Sequence, residues 1–388
     1  MWGKKSSLKT WVEIDAAALR HNLEVFEKLA GKSASRRTRV MAVVKANAYG
    51  HGLPEVARIL ATSGISKSEF LMWFGVDNID EALTIRALDT KNPILILGYI
   101  PPERLKEVIE NDISFSVYSK ELLAMIRKLN NISAKPRIHI KVETGTNRLG
   151  IPLDTLEEAM SFFQKHPDWI EGVYTHFAET EDPQSSFWRE QIAQFEKTIA
   201  FFKKKGVNPS RHTASSAAAL LYPEARYDMI RTGIGLYGLW PSGEIKNQIS
   251  KTKNINLKPV LTWKTKVVQI KEIKRGETVG YDRTFCTRRP TTIAILPVGY
   301  WDGYDRRLSN KGIVLIKGKR APIVGNICMN MMMVDVTDVK NATMGDDVIL
   351  MDASVSADEI AECIGTINYE VVTRINPLIA RIIKNETP

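Results

Sequence analysis

Residues 39–61 read RVMAVVKANAYGHGLPEVARILA, and this stretch decides how the rest of the chain is interpreted. A short apolar run, Arg39–Val44, ends at a lysine and a glycine-containing turn, and a helix-like stretch, Pro54–Ala61, follows. A β-rich run followed by a helical pattern is the unit from which parallel sheets with crossover helices are built. The stretch therefore predicts one strand and one helix of an α/β fold.

The same strand-then-helix unit recurs along the N-terminal part of the chain. The further β-rich runs are Leu71–Val76, Ile94–Leu97, Ser114–Val117, Arg137–Val142, Glu171–Thr175, Arg211–Ala214 and Asp228–Arg231. The helix-like stretches that follow them are Asp80–Leu88, Pro102–Glu110, Lys120–Leu129, Leu153–Gln164, Trp188–Lys204, Ser216–Tyr222 and Gly233–Gly238. Eight such units in roughly 250 residues are typical of a (β/α)8 TIM-type barrel.

The pattern changes after Leu239, where strand-like runs are separated by turn residues. These runs are Val260–Ile273, Thr291–Pro297, Gly312–Ile316, Ala321–Val324, Met331–Val336 and Asp347–Met351. A helical pattern returns at Ala357–Cys363, and the polar stretch Ser242–Lys258 is interpreted as a linker. We therefore expect a (β/α)8 barrel over residues 11–250 and a smaller, mainly β domain over residues 251–388.

Composition and charge exclude several classes of protein. With 44% hydrophobic and 25% charged residues the chain is typical of a globular protein, and no apolar run is long enough to span a bilayer. The formal charge of +10 is spread along the chain without an aromatic and basic nucleic-acid motif, so neither a nucleic-acid nor a membrane partner is expected.

The cysteines and the start of the chain bear on the compartment. Cys286, Cys328 and Cys363 are few, odd in number and widely spaced, which predicts no disulfide framework and no zinc site. The basic start has no apolar segment behind it, so a secretory signal is not expected. These features predict a cytoplasmic protein.

Lys45 directly follows the first predicted strand. A lysine behind a buried apolar strand either extends its amine to the barrel rim or is used chemically. A desolvated lysine amine is the group that forms a Schiff base with a carbonyl compound. Spacing alone leaves both interpretations open.

Other polar residues follow later barrel strands, where function is concentrated in this fold. Arg148 and His176 follow the fifth and sixth β-rich runs, and Ser216 and Arg231 lie at the ends of the last two. Short glycine-rich turns in this last region are typical of a barrel phosphate site. Each residue alone also fits a structural role. Together they favour an aldehyde cofactor that carries a phosphate.

Several segments resemble blocks of the alanine racemase family, in the family's order. AVVKANAYGHG (42–52) is similar to its lysine block for pyridoxal 5′-phosphate (PLP), and KVETGTNRLG (141–150) resembles its arginine block. The other similar blocks are YTHFAE, HTASSAA, IRTGIGLYG, GETVGYDRTF, LPVGYWDG and ICMN. The resemblance runs from about Lys9 to about Pro377.

The resemblance implies the residues that contact PLP. Lys45 would carry the cofactor as a Schiff base and serve as one acid/base. Arg231 would face the pyridine nitrogen, and His176 would pack near the ring. The full set implied by the resemblance is Lys45, Tyr49, Arg148, His176, Ser216, Arg231, Gly233 and Ile234.

The resemblance also implies a shared site in a homodimer. Tyr281 would be the second acid/base and would enter from the partner subunit. Arg148 and Met329 would bind the substrate carboxylate, Tyr300 would line the substrate entrance, and Lys141 corresponds to a lysine often carbamylated in the family. The implied activity is racemisation of L-alanine to D-alanine for cell-wall peptidoglycan.

Three alternatives bear on this interpretation. A non-enzymatic PLP-binding barrel protein lacks the second domain and its tyrosine, and a PLP decarboxylase of this architecture differs at the blocks of Tyr281 and Met329. A serine or broader-specificity racemase remains open.

The chain also departs from the family at Ser215, Asn330 and Ile383, where the family commonly has Asn, Asp and a phosphate-binding Tyr. Either Ile383 widens the substrate range or another tyrosine, such as Tyr369, fills the gap.

Overall fold

The computed structural model describes residues 8–31, 38–61, 72–88, 91–129, 134–252 and 255–386. Leu71, the predicted first residue of one strand, lies outside these ranges. The chain divides into two compact units. The first, called here the barrel unit, comprises Leu19–Ala48 and Val56–Lys258, and the second unit comprises the residues up to Ala18, Tyr49–Glu55 and the chain from Pro259 onward.

The barrel unit is built on one eight-stranded sheet whose paired strands run parallel. Its strands are Arg39–Val43, Trp73–Val76, Ile94–Ile96, Ser114–Val117, Ile138–Lys141, Ile170–Tyr174, Ser210–His212 and Met229–Thr232. The last strand pairs with the first, and backbone bonds from Asp228 N to Arg211 O and from Arg231 N to Ala214 O link the last two. The predicted (β/α)8 barrel is confirmed.

Helices follow the strands of this sheet, as the alternating pattern predicts. They are Leu53–Ala61, Ile79–Arg86, Leu105–Glu110, Lys120–Lys128, Leu153–Phe163, Phe187–Lys204 and Ser216–Leu221, with single 3₁₀ turns at Pro102–Arg104, Pro167–Trp169, Pro223–Ala225 and Ile234–Tyr237. Side-chain caps begin two of them: Asn78 accepts from Glu81 N, and Ser119 accepts from Leu122 N. The strands themselves are almost wholly buried, as parallel strands covered on both faces should be.

The prediction of a linker at Ser242–Lys258 is wrong, because Gly243–Thr252 is an α-helix. Ile245 and Ile249 are buried, and their spacing of four places them on one face of the helix. Ser242 Oγ accepts a hydrogen bond from Ile245 N and caps the first turn. Two apolar residues in a polar background are enough to anchor this helix but too few to give a clear periodic pattern.

The second unit is mainly β, as predicted. Its largest sheet has the strand order Lys319–Pro322, Ile313–Ile316, Asp347–Met351, Leu261–Lys266, Thr10–Asp15 and Ala380–Lys384. The remaining strands are Gln269–Ile273, Thr291–Leu296 and Met332–Asp335, which form a three-stranded sheet, and Thr278–Val279 with Phe285–Cys286. Its helices include Ala357–Ile364 and Asn368–Thr373.

The division into units differs from the expected bounds of 11–250 and 251–388. The strand Thr10–Asp15 pairs antiparallel with Leu261–Lys266 and parallel with Ala380–Lys384, so both chain ends lie in one sheet. Pairing across more than 240 residues has no local signal in the sequence. The helix Ala16–Ala30 then leads from this strand into the barrel unit.

None of the described helices is long and apolar enough to cross a membrane. Among the described residues no group of three or more His, Cys, Asp or Glu side chains is arranged to hold a metal ion.

Candidate active site

The segment that follows the first barrel strand forms a left-handed turn. Residues 46–49 have φ angles of 52–54°, in the left-handed region that non-glycine residues rarely adopt. This conformation costs roughly 1–2 kcal/mol per residue and is typically kept where it serves a site. Asn47 N donates to Glu81 Oε1 at 3.4 Å, which helps to hold the turn. The half-buried Lys45 is its first residue.

Arg231 is buried at the end of the eighth barrel strand, and four of its five N–H groups have protein acceptors. Nη1 donates to His212 Nδ1 at 3.0 Å and to His212 O at 2.9 Å. Nη2 donates to Thr175 O at 2.8 Å and Thr213 O at 2.9 Å, and it lies 3.2 Å from His176 Nδ1. Among the residues that the structure describes, none accepts a hydrogen bond from Nε. This N–H is therefore available to a ligand with an acceptor atom.

His176 lies beside Arg231 and is neutral. An arginine can only donate, so His176 Nδ1 acts as the acceptor and carries no proton. Burial, followed by the charges of Arg231 and Arg148, lowers the pKa of His176 well below its usual value. Its carbonyl oxygen accepts from Gln191 Nε2 at 3.3 Å, which fixes the backbone at this strand end. A neutral imidazole suits contact with an aromatic ligand ring.

Lys141 and Arg148 add to a cluster of cations at the same end of the barrel. Burial, followed by the charges of Arg148, Arg231 and Lys45, lowers the pKa of Lys141 to about 8. The negative charge of Glu143 counters this effect. Lys141, Arg148 and His176 line one cleft. Such an excess of positive charge favours an anionic ligand.

A cluster of backbone N–H groups surrounds Ser216. Its Oγ accepts from Gly233 N at 2.9 Å and from Gly235 N at 3.3 Å. Ile234 lies between these glycines and begins the turn Ile234–Tyr237. Successive N–H groups that converge in this way make a concave site for an anion such as a phosphate. The neighbouring Ser215 accepts from Ala218 N at 3.4 Å and caps the following helix, and asparagine is as favourable as serine at such a cap position.

Three candidate residues lie on hydrogen-bonded loops of the second unit. Tyr281 is 71% exposed, Met329 is 54% exposed and Tyr300 is 44% exposed. Tyr300 N donates to Cys328 O at 3.1 Å, next to Met329 in the chain. Asn326 Nδ2 donates to Tyr281 O at 3.1 Å, which joins the Tyr281 turn to the same loop. Exposed aromatic and methionine side chains on one set of loops are typical of residues that meet a ligand or a partner.

Tyr49 and the departures near the C-terminus also lie in the second unit. Burial raises the pKa of Tyr49 to about 12, so its hydroxyl remains a hydrogen-bond donor at neutral pH. The Tyr49 and Tyr369 ring centroids are 6.2 Å apart. Ile383 pairs with Ile14 in the sheet, and Asn330 is exposed in the loop that also carries Met329.

Sequence reasoning missed part of the site. His139, His212 and Tyr174 are buried beside Arg231 and Lys141, yet none of them was singled out. His212 begins the HTASSAA block, and His139 lies two residues before Lys141. Their position inside strands was the available signal, because a histidine within a parallel barrel strand points into a core where its nitrogens need partners.

Comparison with known proteins shows which family the chain belongs to. A model of the alanine racemase N-terminal domain matches residues 14–241, and a model of the alanine racemase C-terminal domain matches residues 260–383. The chain belongs to the alanine racemase family. It is therefore an isomerase of the amino-acid racemase class, and its relatives align over both units.

Two curated alanine racemases match nearly end to end. The enzyme of Leptospira interrogans serogroup Icterohaemorrhagiae serovar Lai is 39% identical, over 98% of this chain and 97% of the relative. The enzyme of Carboxydothermus hydrogenoformans is 38% identical, over 96% and 98%. Among solved structures, alanine racemase from Bacillus anthracis with bound L-Ala-P has 34% identity and a TM-score of 0.87, covering 98% of this chain and 96% of that one.

Proposed function

We propose that this chain interconverts L- and D-alanine with bound pyridoxal 5′-phosphate. The observation that carries the cofactor assignment is the buried Arg231, whose Nε–H is left without an acceptor among the described residues while its other N–H groups are held. The 39% identity to a curated alanine racemase over nearly the full length supports the choice of alanine.

The residues present fit PLP at each of its polar groups. Lys45 would hold the aldehyde carbon covalently, and Arg231 would donate from Nε to the pyridine nitrogen. Arg148 would contact the phenolic oxygen, and His176 would pack near the ring. The phosphate would be held by Ser216, by the N–H groups of Gly233 and Ile234, and by the hydroxyl of Tyr49.

The protein's part in the reaction is to move one proton between two faces of a carbon atom. When bound, PLP withdraws electrons from the bond between the substrate's Cα and its hydrogen. Lys45 Nζ would take or give the proton on one face, and Tyr281 of the partner subunit would do so on the other.

The substrate carboxylate would be bound by Arg148 and by the backbone N–H of Met329, and Tyr300 would line the entrance. Lys141 would carry a carbamate, because a buried lysine whose pKa is lowered to about 8 offers a neutral amine to carbon dioxide near neutral pH. A carbamate would place a negative charge beside Arg148 and orient its guanidinium.

A homodimer with shared sites completes the proposal. Tyr281 is 71% exposed, and entry of this side chain into the partner's site explains why an aromatic acid/base is presented at the surface. A two-fold arrangement is the simplest closed assembly in which each subunit completes the other's site. We assign it to the cytoplasm, where its three unpaired cysteines fit a reducing environment, and to the supply of D-alanine for peptidoglycan.

The direct test is a racemisation assay over a panel of L-amino acids, read by chiral separation, with purified wild-type protein and Lys45→Ala. We expect the wild type to convert L-alanine fastest and to bind PLP in a borohydride-reducible link that Lys45→Ala lacks. Absence of racemisation by PLP-loaded wild type, or a reducible lysine link that persists at this site in Lys45→Ala, would contradict the proposal.

A further inference from the structure

A line of polar groups crosses the barrel unit from the buried Arg231, through two buried histidines, to the partly exposed Glu171. Arg231 Nη1 donates to His212 Nδ1 at 3.0 Å, and His212 Nε2 lies 2.9 Å from His139 Nδ1. On the far side of the second imidazole, His139 Nε2 lies 3.8 Å from Glu171 Oε2. Both histidines are fully buried, and the proposed reaction assigns no role to either of them or to Glu171.

The direction of each proton follows from the first donor. Arginine has no acceptor atom, so His212 Nδ1 must be unprotonated and its Nε2 must carry the hydrogen. That hydrogen is donated to His139 Nδ1, so this nitrogen is unprotonated as well. The proton of His139 then lies on Nε2, which makes no hydrogen bond to any described residue and has the charged Glu171 Oε2 3.8 Å away, so the carboxylate acts on it through its charge. Every N–H in the line therefore points away from Arg231.

Packing holds both imidazoles in place. The His212 ring stacks on Tyr174 with centroids 4.6 Å apart and 8° between the planes. The edge of the Trp73 indole packs on His139 with a centroid distance of 5.1 Å. Gly172 makes room for this ring, since a Cβ at that position would lie 2.2 Å from His139 Nδ1.

Glu171 remains an anion at the end of this line. Its Oε1 accepts from Arg137 Nε at 2.8 Å, and its Oε2 accepts from Ser114 Oγ at 2.6 Å. Burial would raise the pKa of Glu171, but His139, Arg137 and Ser114 lower it to about 2. Burial in turn lowers the pKa of His139, so the pair consists of a carboxylate and a neutral imidazole.

We propose that Glu171 is a positioning residue for the reaction. The charge of its carboxylate stabilises the tautomers of His139 and His212 that the Arg231 donor requires, and these imidazoles help to hold the guanidinium of Arg231 so that Nε–H is left for the pyridine nitrogen of PLP. This proposal rests on the proposed function, because the pyridine ring that Arg231 would face belongs to the PLP that the proposed function requires.

The electrostatic consequence concerns the proton of Arg231. An imidazole polarised by a carboxylate is a better acceptor, and polar groups in series strengthen one another in a low-dielectric core. Burial lowers the pKa of Arg231 to about 10, and the line of acceptors counters this effect by stabilising the charged guanidinium. A guanidinium that keeps its protons leaves the pyridine nitrogen a hydrogen-bond acceptor rather than a protonated group. Uncharged glutamine at position 171 removes that effect. It also sets an amide N–H₂ beside His139 Nε2, which favours the opposite tautomer.

The test is ¹⁵N NMR of the full-length protein labelled at its six histidines, with and without PLP, together with kcat/KM for L-alanine. His139→Gln and His212→Gln assign the two signals. Glu171→Gln is compared with Asp112→Asn, since Asp112 is the other carboxylate that binds Arg137 and is exposed. Glu171→Asp restores a carboxylate.

We expect both Nδ1 atoms to be unprotonated in the wild type. Glu171→Gln should mix the tautomers of His139, shift the His212 signals and lower kcat/KM about tenfold, the lower end of the loss seen when an outer-shell partner is removed at metal sites. Asp112→Asn should change neither, and Glu171→Asp should restore the wild-type tautomers.

A protonated Nδ1 in either wild-type histidine would overturn the proposal, as would a Glu171→Gln variant that matches Asp112→Asn in both measurements. Failure of the proposed function is a separate result. A wild type without PLP binding or racemisation would defeat that function, and the tautomers of the PLP-free protein would still decide whether Glu171 orders the histidines.

Discussion

The guanidinium of Arg381 donates from Nη2 to the carbonyl oxygen of Gly50 at 2.8 Å and from Nε to the same oxygen at 3.3 Å. Its other acceptors are the carbonyl oxygens of Ile375, Asn376 and Ile379. One side chain on the C-terminal strand thus satisfies several backbone carbonyls. It also fixes the turn that contains Tyr49, so a residue late in the chain supports a segment that directly follows Lys45.

Arg381→Ala should lower the free energy of unfolding by about 1–3 kcal/mol, because partly buried carbonyl groups lose their donors. Arg374→Ala is the matched control, since Arg374 is about half exposed and pairs with the partly buried Asp305 and with Glu370, and exposed ion pairs of the latter kind contribute at most about 1 kcal/mol. Urea unfolding of both variants checks the difference. Equal losses in the free energy of unfolding would show that the hydrogen bonds from Arg381 to Gly50 contribute little to stability.

Position 50 requires glycine for two reasons, which are its positive φ angle and the lack of space for a side chain. Its φ is +79°, and a Cβ there would lie 1.9 Å from Val372 O. Gly206 has a similar φ of +75° with no atom within 4 Å of such a Cβ. We expect Gly206→Ala to cost about 1–2 kcal/mol. Gly50→Ala should cost several kcal/mol or leave no soluble protein, and similar unfolding midpoints for the two variants would contradict the clash.

In protein freed of carbon dioxide, so that Lys141 carries no carbamate, Lys141 should react as a neutral amine from near pH 8 upward. Its pKa is lowered to about 8 by burial and by Arg148, Arg231 and Lys45, so labelling by an amine reagent should be half-maximal near that pH. Arg148→Gln removes one of these charges and should move the midpoint to higher pH. Peptide mass spectrometry of the labelled protein measures both. A midpoint that is unchanged by Arg148→Gln would exclude the electrostatic cause.

The lowered pKa of Lys141 also makes the free energy of unfolding depend on pH. Because the folded state disfavours charged Lys141, its penalty is fully present below pH 8 and disappears as pH rises toward the unfolded value of 10.5. The contribution of Lys141 to the free energy of unfolding should therefore increase over that range. Comparison of the wild type with Lys141→Met across the range isolates this contribution.

The barrel was predictable because its signal is local and repeated. Each strand of the barrel is a short apolar run, and each is followed by a helix-like stretch, so errors at single positions do not change the count. The helix Gly243–Thr252 was missed because only Ile245 and Ile249 anchor it. The place of Thr10–Asp15 in the second unit was missed because its partners lie far away in the chain.

The candidate site was predictable where a residue directly follows a strand. Lys45, His176 and Arg231 were found in this way, and the structure shows Arg231 bonded to His176. His139 and Glu171 were not found, because they lie within or at the start of strands and their role depends on contacts across the barrel. A sequence shows that a buried histidine needs partners, but only the fold shows which groups supply them.

Tyr281 should act in the partner's site, so two inactive variants should complement each other. Lys45→Ala and Tyr281→Phe each remove one of the two proposed acid/bases, and a mixed dimer of the two would contain one intact pair. Mixing them under conditions of proven subunit exchange should restore part of the wild-type racemisation rate. Each variant alone should lose on the order of a hundredfold or more in kcat. No recovery despite exchange would count against a shared site.

The family resemblance aligns Ile383 with a position where a phosphate-binding tyrosine is common, and the strand Ala380–Lys384 shows which way Ile383 faces. Alternate residues of a strand share a face, so Ile383 lies on the same face as Arg381, which reaches Gly50. An isoleucine offers no hydrogen bond and is smaller than tyrosine. We therefore expect weaker PLP retention and acceptance of serine beside alanine.

Ile383→Tyr should tighten PLP about fivefold, since one hydrogen bond contributes about 1 kcal/mol, and should raise the alanine-to-serine ratio of kcat/KM. Ile382→Tyr is the matched control, because it adds the same side chain to the opposite face of the strand. Equilibrium titration of PLP into cofactor-free protein and assays with both amino acids measure the two effects.

The alternative is that Tyr369 takes over the missing contact. Its ring centroid lies 6.2 Å from that of Tyr49, which the family resemblance assigns to the phosphate. In that case Tyr369→Phe should weaken PLP binding by a similar factor, whereas Ile383→Tyr should change nothing. If Ile383→Tyr and Ile382→Tyr leave both the PLP dissociation constant and the alanine-to-serine ratio equal to wild type, Ile383 does not border the site. The specificity of this chain must then be sought at Tyr300 and Met329.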